Sequence, residues 1–349
     1  MNIFVLSLLL CFSALAEDRL TSTPLRTIEE VHKSSKAEKV LRLANARVAI
    51  VDYDLLRLDF PVLKALSNDQ IDEWLLSQVA YISEFQENQA VVNSKIPISG
   101  ESRIAKRPPE YGRAIVFEMT SPVDDSQIGL IDVKGTGANF VPHQGSHGNG
   151  LATLGECIRE YNYENAVKEL LAESGSTSKT VGSYGVIDAG FDVVHADGSR
   201  SRAGFYLRQA HSRPTYNGWL DTNKRNELQK LFHKYGIDPN HNIQGTKSGD
   251  IYDFGHFVVR DDLSGIDPKK QFPFSHWGYD KSIPLPTDGT DTRWFYSKLD
   301  RPWLWAHETA EAFANGTADR DAIWRHHQDM VSPVKAKLNN CNTHFRAAH

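Results

Sequence analysis

The chain has 349 residues, 40% hydrophobic and 24% charged, with a formal net charge of −5 and a pI near 6.3. This is enough apolar mass for one large domain or two modest ones, and with no long Lys/Arg block it excludes a basic nucleic-acid footprint. Three cysteines, none in a CxxC pair, exclude a disulfide scaffold and a zinc site of the usual Cys/His spacing.

The N-terminus stands apart. Ile3 to Phe12 is an apolar run, followed by Ser13-Ala-Leu-Ala16 and then the charges Glu17, Asp18 and Arg19. A short apolar core ending on a small-x-small site predicts a secretory signal peptide over 1–16, although its n-region lacks Lys and Arg; a buried strand is the other reading. The run is shorter than the roughly 20 residues a membrane helix needs, and no later stretch reads as a span. The expectation is therefore export, to a periplasm, a secretory lumen or the medium. Without Cys11, Cys157 and Cys341 remain, to pair in an oxidising compartment or to stay free.

Residues 24 to about 92 read as helical, with Asn68 a plausible cap before the apolar spacing that runs to Ile82. This makes 17–105 a helical extension, ended by the Pro-rich Lys106-Arg-Pro-Pro109. Strands are expected over Arg113–Glu118 and Ile128–Lys134. The Gly-rich Gly145–Gly150 leads into a long helix from about Leu151 to Glu173, and two more strands follow around Gly185–His195 and Ala203–Gln209. Beyond Thr222 come a helix, a loop with Asp253-Phe-Gly255, and a Trp- and His-rich region. The layout is α+β and compatible with a two-lobed kinase-like architecture, with lobes over 106–215 and 216–349.

Lys134 ends an apolar strand on the face of Leu130 and Ile128, so its stem can be half buried with the ammonium at the strand's end, placed to neutralise phosphate; a surface lysine at a strand terminus is the other reading. Glu160 shares a helix face with Val167 and Leu171, which favours an inward carboxylate. Glu156 and Glu164 lie one turn to either side, and three like charges at that spacing usually make a solvated face, so Glu164 competes for the role. Asn242 and Asp253 offer an amide oxygen and a carboxylate, a fair Mg²⁺ pair when nucleotide phosphates complete the coordination, while an ordinary turn is the other reading of Asp253-Phe-Gly255. Arg202 and Arg208 share parity on one strand and suggest an anion site, with a solvated strand face as the other reading. At roughly 3.3 Å per residue they lie about 20 Å apart, too far to grip one phosphate unless the chain bends.

Taken in order, Tyr111-Gly-Arg-Ala-Ile115, Ile131-Asp-Val-Lys-Gly-Thr-Gly137, Gly148-Asn-Gly-Leu-Ala152, Ile158-Arg-Glu-Tyr161, Tyr206-Leu-Arg208 and Asp253-Phe-Gly255 resemble the selenoprotein O (SelO) family. Those are protein-kinase-like proteins that transfer AMP from ATP to protein hydroxyls. The likeness covers about 110–260. It implies a two-lobed kinase-like fold with a shortened helical C-terminal lobe, ATP as substrate with Mg²⁺ or Mn²⁺, and a protein carrying a Ser, Thr or Tyr hydroxyl as acceptor. By position it implies nucleotide contacts at Gly112, Arg113, Lys134, Asn149, Gly150, Glu160, Arg202, Arg208 and Asp253, and metal ligands at Asn242 and Asp253. His241 stands where the family has an acidic base. A neutral imidazole can still take a hydroxyl proton, but the change equally marks altered or lost activity. Asn149 lacks the charge the family carries there.

Two other readings stay open: a secreted pseudokinase that binds nucleotide or a partner without turnover, and a true protein kinase. The tryptophans at 277, 294, 303 and 305 could also line a ligand site, though such residues more often pack a core. His307-Glu308 begins like a zinc motif, but Glu311 occupies the position of its second histidine. Asn315-Gly-Thr317 fits a glycosylation sequon.

Overall fold

A computed structural model describes residues 33, 35–88, 96–108, 113–137, 150–194, 200–212, 220–235, 237–239, 242–246, 248–259 and 301–329. Strands β1 (Lys36–Leu43) and β2 (Arg47–Val51) open it. Helix α1 (Tyr53–Asp59) follows, then a 3₁₀ turn over Pro61–Ala65, α2 (Asn68–Val79) and β3 (Tyr81–Ser83). Next come β4 (Ile98–Arg107), β5 (Ala114–Thr120), β6 (Gln127–Lys134), α3 (Leu154–Glu173), β7 (Ser183–Val194) and β8 (Arg200–Gln209). Helix α4 (Thr222–Lys234), the two-residue strands β9 to β12 (Ile237–Asp238, Gln244–Gly245, Ile251–Tyr252, Val258–Val259), α5 (Arg301–Ala314) and a helical stretch over 320–329 complete it. The chain is an α+β protein.

Strands β1 to β8 form one antiparallel sheet in the order β2-β7-β8-β6-β5-β4-β1-β3. Three residues, 44–46, join β1 to β2, yet six inter-strand steps separate them in the sheet. Laid flat, those steps would span about 29 Å at roughly 4.8 Å each, while the chain from Leu43 to Arg47 reaches at most about 14 Å. The sheet must therefore curl until its ends approach. One apolar cluster reflects this, joining Val40 of β1 and Val48 of β2 to Phe117, Ile131, Val133, Phe205 and Leu207 from the middle strands. Helices α1 and α2 fill the same side with Leu55, Leu56, Ile71, Trp74 and Leu75, and Phe60 lies between them.

On the other face, Leu154, Cys157, Ile158 and Tyr161 of α3 pack with Ile50, Val186 and Tyr206 of the sheet and with Ala306, Ala310 and Phe313 of α5. The second half of α3 belongs to another core, where Tyr163, Val167 and Leu170 meet Leu228 and Phe232 of α4 and Ile251, Phe254 and Phe257. Helix α3 thus spans two cores, and chemistry held at its middle turn sits where they meet.

The strands expected at 113–118, 128–134, 185–195 and 203–209 are present to within three residues at either end, as are the helices after Leu151 and Thr222. The helical reading of 24–92 is corrected. Although α1 and α2 lie within it, Lys36–Leu43, Arg47–Val51 and Tyr81–Ser83 are strands of the same sheet as 106–215, and a boundary at 105 cuts β4. Long-range pairing has overridden the helix propensity of Lys-Ala-Glu-Lys-Val-Leu-Arg-Leu. The cap of α2 is Ser67, in a reciprocal capping box with Gln70, rather than Asn68. Helix α5 and the 320–329 stretch pack back on the sheet and α3 rather than closing a separate C-terminal unit. Arg320 reaches Asp72 and the Tyr53 hydroxyl, and Arg47 donates to the Phe313 carbonyl at 3.1 Å. No helix among the described residues is long and apolar enough to cross a membrane. The proposed signal peptide, Cys341, Trp277 and Trp294 lie outside the described residues.

Candidate functional site

Strand alternation sends Ile131 and Val133 of β6 into the apolar core and Leu130, Asp132 and Lys134 to the opposite face, but Ile128, expected beside Lys134 and Leu130, packs on the apolar core because a register shift against β5 falls at its position. Lys134 ends its strand buried. Its Nζ lies 2.5 Å from Glu160 Oε2 and 3.2 Å from Asp253 Oδ1. One ammonium thus bridges a helix carboxylate from the first core and a loop carboxylate at the edge of the second. Glu160 is 1% exposed, whereas the Asp253 side chain keeps 37% of its surface open. A buried ion pair adds little net stability after desolvation, so this one is better understood as a device for holding Lys134 in place.

Asp253 takes a left-handed backbone (φ 68°), a conformation that Asp tolerates better than most residues. The turn sends successive side chains apart. Asp253 faces Lys134, while Phe254 enters the second core with its ring 5.1 Å from that of Phe257. Asn242 donates from Nδ2 to the Asp253 carbonyl at 3.0 Å and to Oδ2 at 3.4 Å, and its Oδ1 accepts from Gln244 Nε2 at 3.0 Å. The two expected metal ligands therefore meet. The open Asp253 carboxylate suits a divalent cation, while the Asn242 amide must turn over to offer its oxygen.

The solvated-face reading of Glu156, Glu160 and Glu164 is overturned, for all three are buried and each has its own partner. Glu156 pairs with Arg113, which also donates to the Leu151 carbonyl at 3.2 Å. Glu160 takes Lys134. Glu164 accepts hydrogen bonds from Thr180 and, at 2.5 Å, from Ser183, and burial pushes its carboxyl above the ordinary range. The competition between Glu160 and Glu164 is settled by reach, because Lys134 lies opposite the middle turn.

The two arginines of β8 part company. Arg208 is 2% exposed and stands directly across from Asp132 in the β6–β8 register, with Nε 3.4 Å from Asp132 Oδ1 and an Nη 3.6 Å from Glu160 Oε1. It belongs to the Lys134 cluster, behind Glu160. Arg202 lies elsewhere, 3.4 Å from Asp188 and 3.3 Å from Asp192, and it donates to the Ala314 carbonyl at the end of α5. A cation at a helix C-terminus satisfies carbonyls that lack helical partners. Arg202 is thus committed to holding α5 and is not brought to the cluster.

Gly135 (φ 94°) turns the chain out of β6, where a Cβ would come within 2.6 Å of the Gly204 carbonyl oxygen. Two residues on, the Gly137 amide donates to the Gly150 carbonyl at 3.0 Å. Gly112, Asn149 and His241 lie outside the described residues. Three residues escaped sequence reasoning. Asp132 shares the parity of Lys134 between apolar neighbours, a signal that could have been read. His211 lies 3.8 Å from Asp132 and Arg159 is buried beside Glu160, and both depend on distant partners.

Among the described residues the cluster holds two cations, Lys134 and Arg208, against three carboxylates, Asp132, Glu160 and Asp253. No family model matches the chain and no curated protein matches it.

Proposed function

We propose that the chain binds ATP with Mg²⁺ or Mn²⁺ in a kinase-like cleft between its two cores and transfers AMP to protein hydroxyls. The observation that carries this reading is Lys134 held between Glu160 and Asp253, with Asn242 bonded to Asp253. A strand lysine fixed by a helix carboxylate, facing an acidic loop with an adjacent amide, is the set of groups that phosphoryl-type transfer requires for positioning and charge neutralisation. The choice of AMP over phosphate rests on the ordered motifs from Tyr111 to Gly255.

On this reading Lys134 neutralises phosphate oxygens, and Glu160 and Arg208 fix its position from behind. Asp253 and Asn242 would hold the divalent cation, which supplies charge neutralisation to the phosphates. His241, next to Asn242 in sequence, takes the acceptor's hydroxyl proton as that oxygen bonds to the α-phosphorus. The bond from the α-phosphorus to the bridging oxygen breaks, and pyrophosphate leaves.

ATP labelled at the α- or the γ-phosphate distinguishes the alternatives. Protein labelling is expected from the α position only, with Lys134→Met reducing it at least about 100-fold. Label from the γ position alone would make the protein a kinase. Mg²⁺-dependent ATP binding without transfer from either position would make it a non-catalytic binder, and no ATP binding at all would end the reading.

A further inference from the structure

Arg159 is entirely buried on α3, one residue before Glu160, and has no task in the chemistry above. Consecutive helical residues point about 100° apart, so Arg159 cannot join Glu160 at Lys134. Its guanidinium instead donates from one Nη to the Gly255 carbonyl and from the other to the Phe257 carbonyl. It also lies 4.8 Å over the Tyr163 ring, one turn along the helix. Both carbonyls belong to the short segment that leaves Asp253, two and four residues after it.

We propose that Arg159 is a positioning residue that fixes Asp253 relative to Glu160. Two adjacent residues of one helix then control both carboxylates around Lys134, Glu160 directly and Asp253 through the main chain that follows it. The left-handed backbone of Asp253 is held by Asn242, which donates to its carbonyl, and by Phe254 and Phe257 in the second core, and Arg159 adds the link to α3. A guanidinium suits this role, since its rigid fork reaches two carbonyls at once. Removing it would free the 254–257 turn to shift and carry the Asp253 carboxylate away from the Lys134 ammonium.

The catalytic consequence rests on the nucleotide reading, but the tether does not, so the experiment has two arms. In ligand-free protein, amide hydrogen exchange over 254–259 should speed up at least about tenfold in Arg159→Met and by less in Arg159→Lys, with α3 amides beyond 160 unchanged. In the second arm, the Mg²⁺ concentration for half-maximal ATP binding should rise about tenfold in Arg159→Met, while Mg²⁺-free ATP binding stays as in wild type. In an Asp253→Asn background, Arg159→Lys should add nothing to the Mg²⁺ dependence. If Arg159→Met does not fold, Arg159→Lys, which keeps the buried charge, carries the same comparison. Unchanged exchange at 254–259 in a folded variant overturns the tether. Altered exchange in a protein that binds no ATP supports the tether and refutes the nucleotide reading alone. Equal loss of Mg²⁺-dependent and Mg²⁺-free binding overturns the positioning role.

Discussion

The two faces of the curled sheet are built from alternate residues of the same strands, yet they differ in kind. The concave face is a continuous apolar surface. Ile115, Phe117, Ile131, Val133, Phe205 and Leu207 meet Trp74, Leu75 and Phe60, and Arg103 stacks its guanidinium over the Tyr81 and Phe117 rings while donating to the Gln78 and Glu118 carbonyls. The face beneath α3 is as thoroughly buried, but Asp132, Lys134 and Arg208 project from it toward Glu160. Burial alone therefore does not separate scaffold from site. The distinction is that one face gains from removing water, at about 25 cal/mol per Å² of apolar surface, while the other spends hydration to fix charges in place.

The largest expected effect tests whether the apolar face is scaffold alone. Phe117→Ala should cost about 3–5 kcal/mol, read from the denaturant midpoint, and leave the ATP affinity of the folded protein unchanged. A tenfold loss of affinity in fully folded protein would show that the faces are not independent.

A smaller effect separates the two arginines of β8. Arg208→Met leaves Asp132 buried without its guanidinium, for a loss of about 3 kcal/mol, and should weaken ATP binding at least about tenfold through a displaced Glu160. Arg202→Met should cost about 1 kcal/mol at the end of α5 and leave ATP affinity unchanged. If Arg202→Met weakens ATP binding as much as Arg208→Met does, Arg202 returns to the role of anion ligand.

The smallest effect concerns Glu164, the buried carboxylate that two hydroxyls hold. Burial raises its folded pKa above the ordinary 4.5, so the folded state keeps a proton that the unfolded chain releases first. Its contribution is therefore intact below pH 4.5 and is lost as the pH rises toward the folded value. Glu164→Gln should stabilise the protein at neutral pH, with the gain fading as the pH falls toward 4.5. A gain independent of pH would mean that the carboxyl is not the origin.

Much of this was legible in the sequence where the signal is local. Period-two alternation marked β5 to β8 and put Lys134 on the correct face, and apolar spacing turned Glu160 inward. Where partners are distant, the sequence misleads. The residues of β1 favour a helix and become a strand only by pairing with β3 and β4. The glutamates at 156, 160 and 164 look solvated because Arg113, Lys134, Thr180 and Ser183 come from other elements. Arg202 and Arg208 have the same parity and similar neighbours, and what distinguishes them is whether the register offers Asp132 or the end of α5.

The closing of the sheet also sets an order of events during synthesis. Among the described strands β2 pairs with β7 alone, Arg47 against Asp188 and Val51 against Gly185, so this hydrogen-bonding partner is made some 140 residues after it. At roughly 5–20 residues per second, the ribosome leaves β2 waiting on the order of ten seconds. Helices α1 and α2 form locally in that interval and can shield its apolar side chains, but the sheet cannot close until β7 and β8 are complete. Loop-closure entropy on this scale favours slow, late assembly, and a chain truncated before Asp188 would carry β2 with an unpaired edge, an invitation to aggregation.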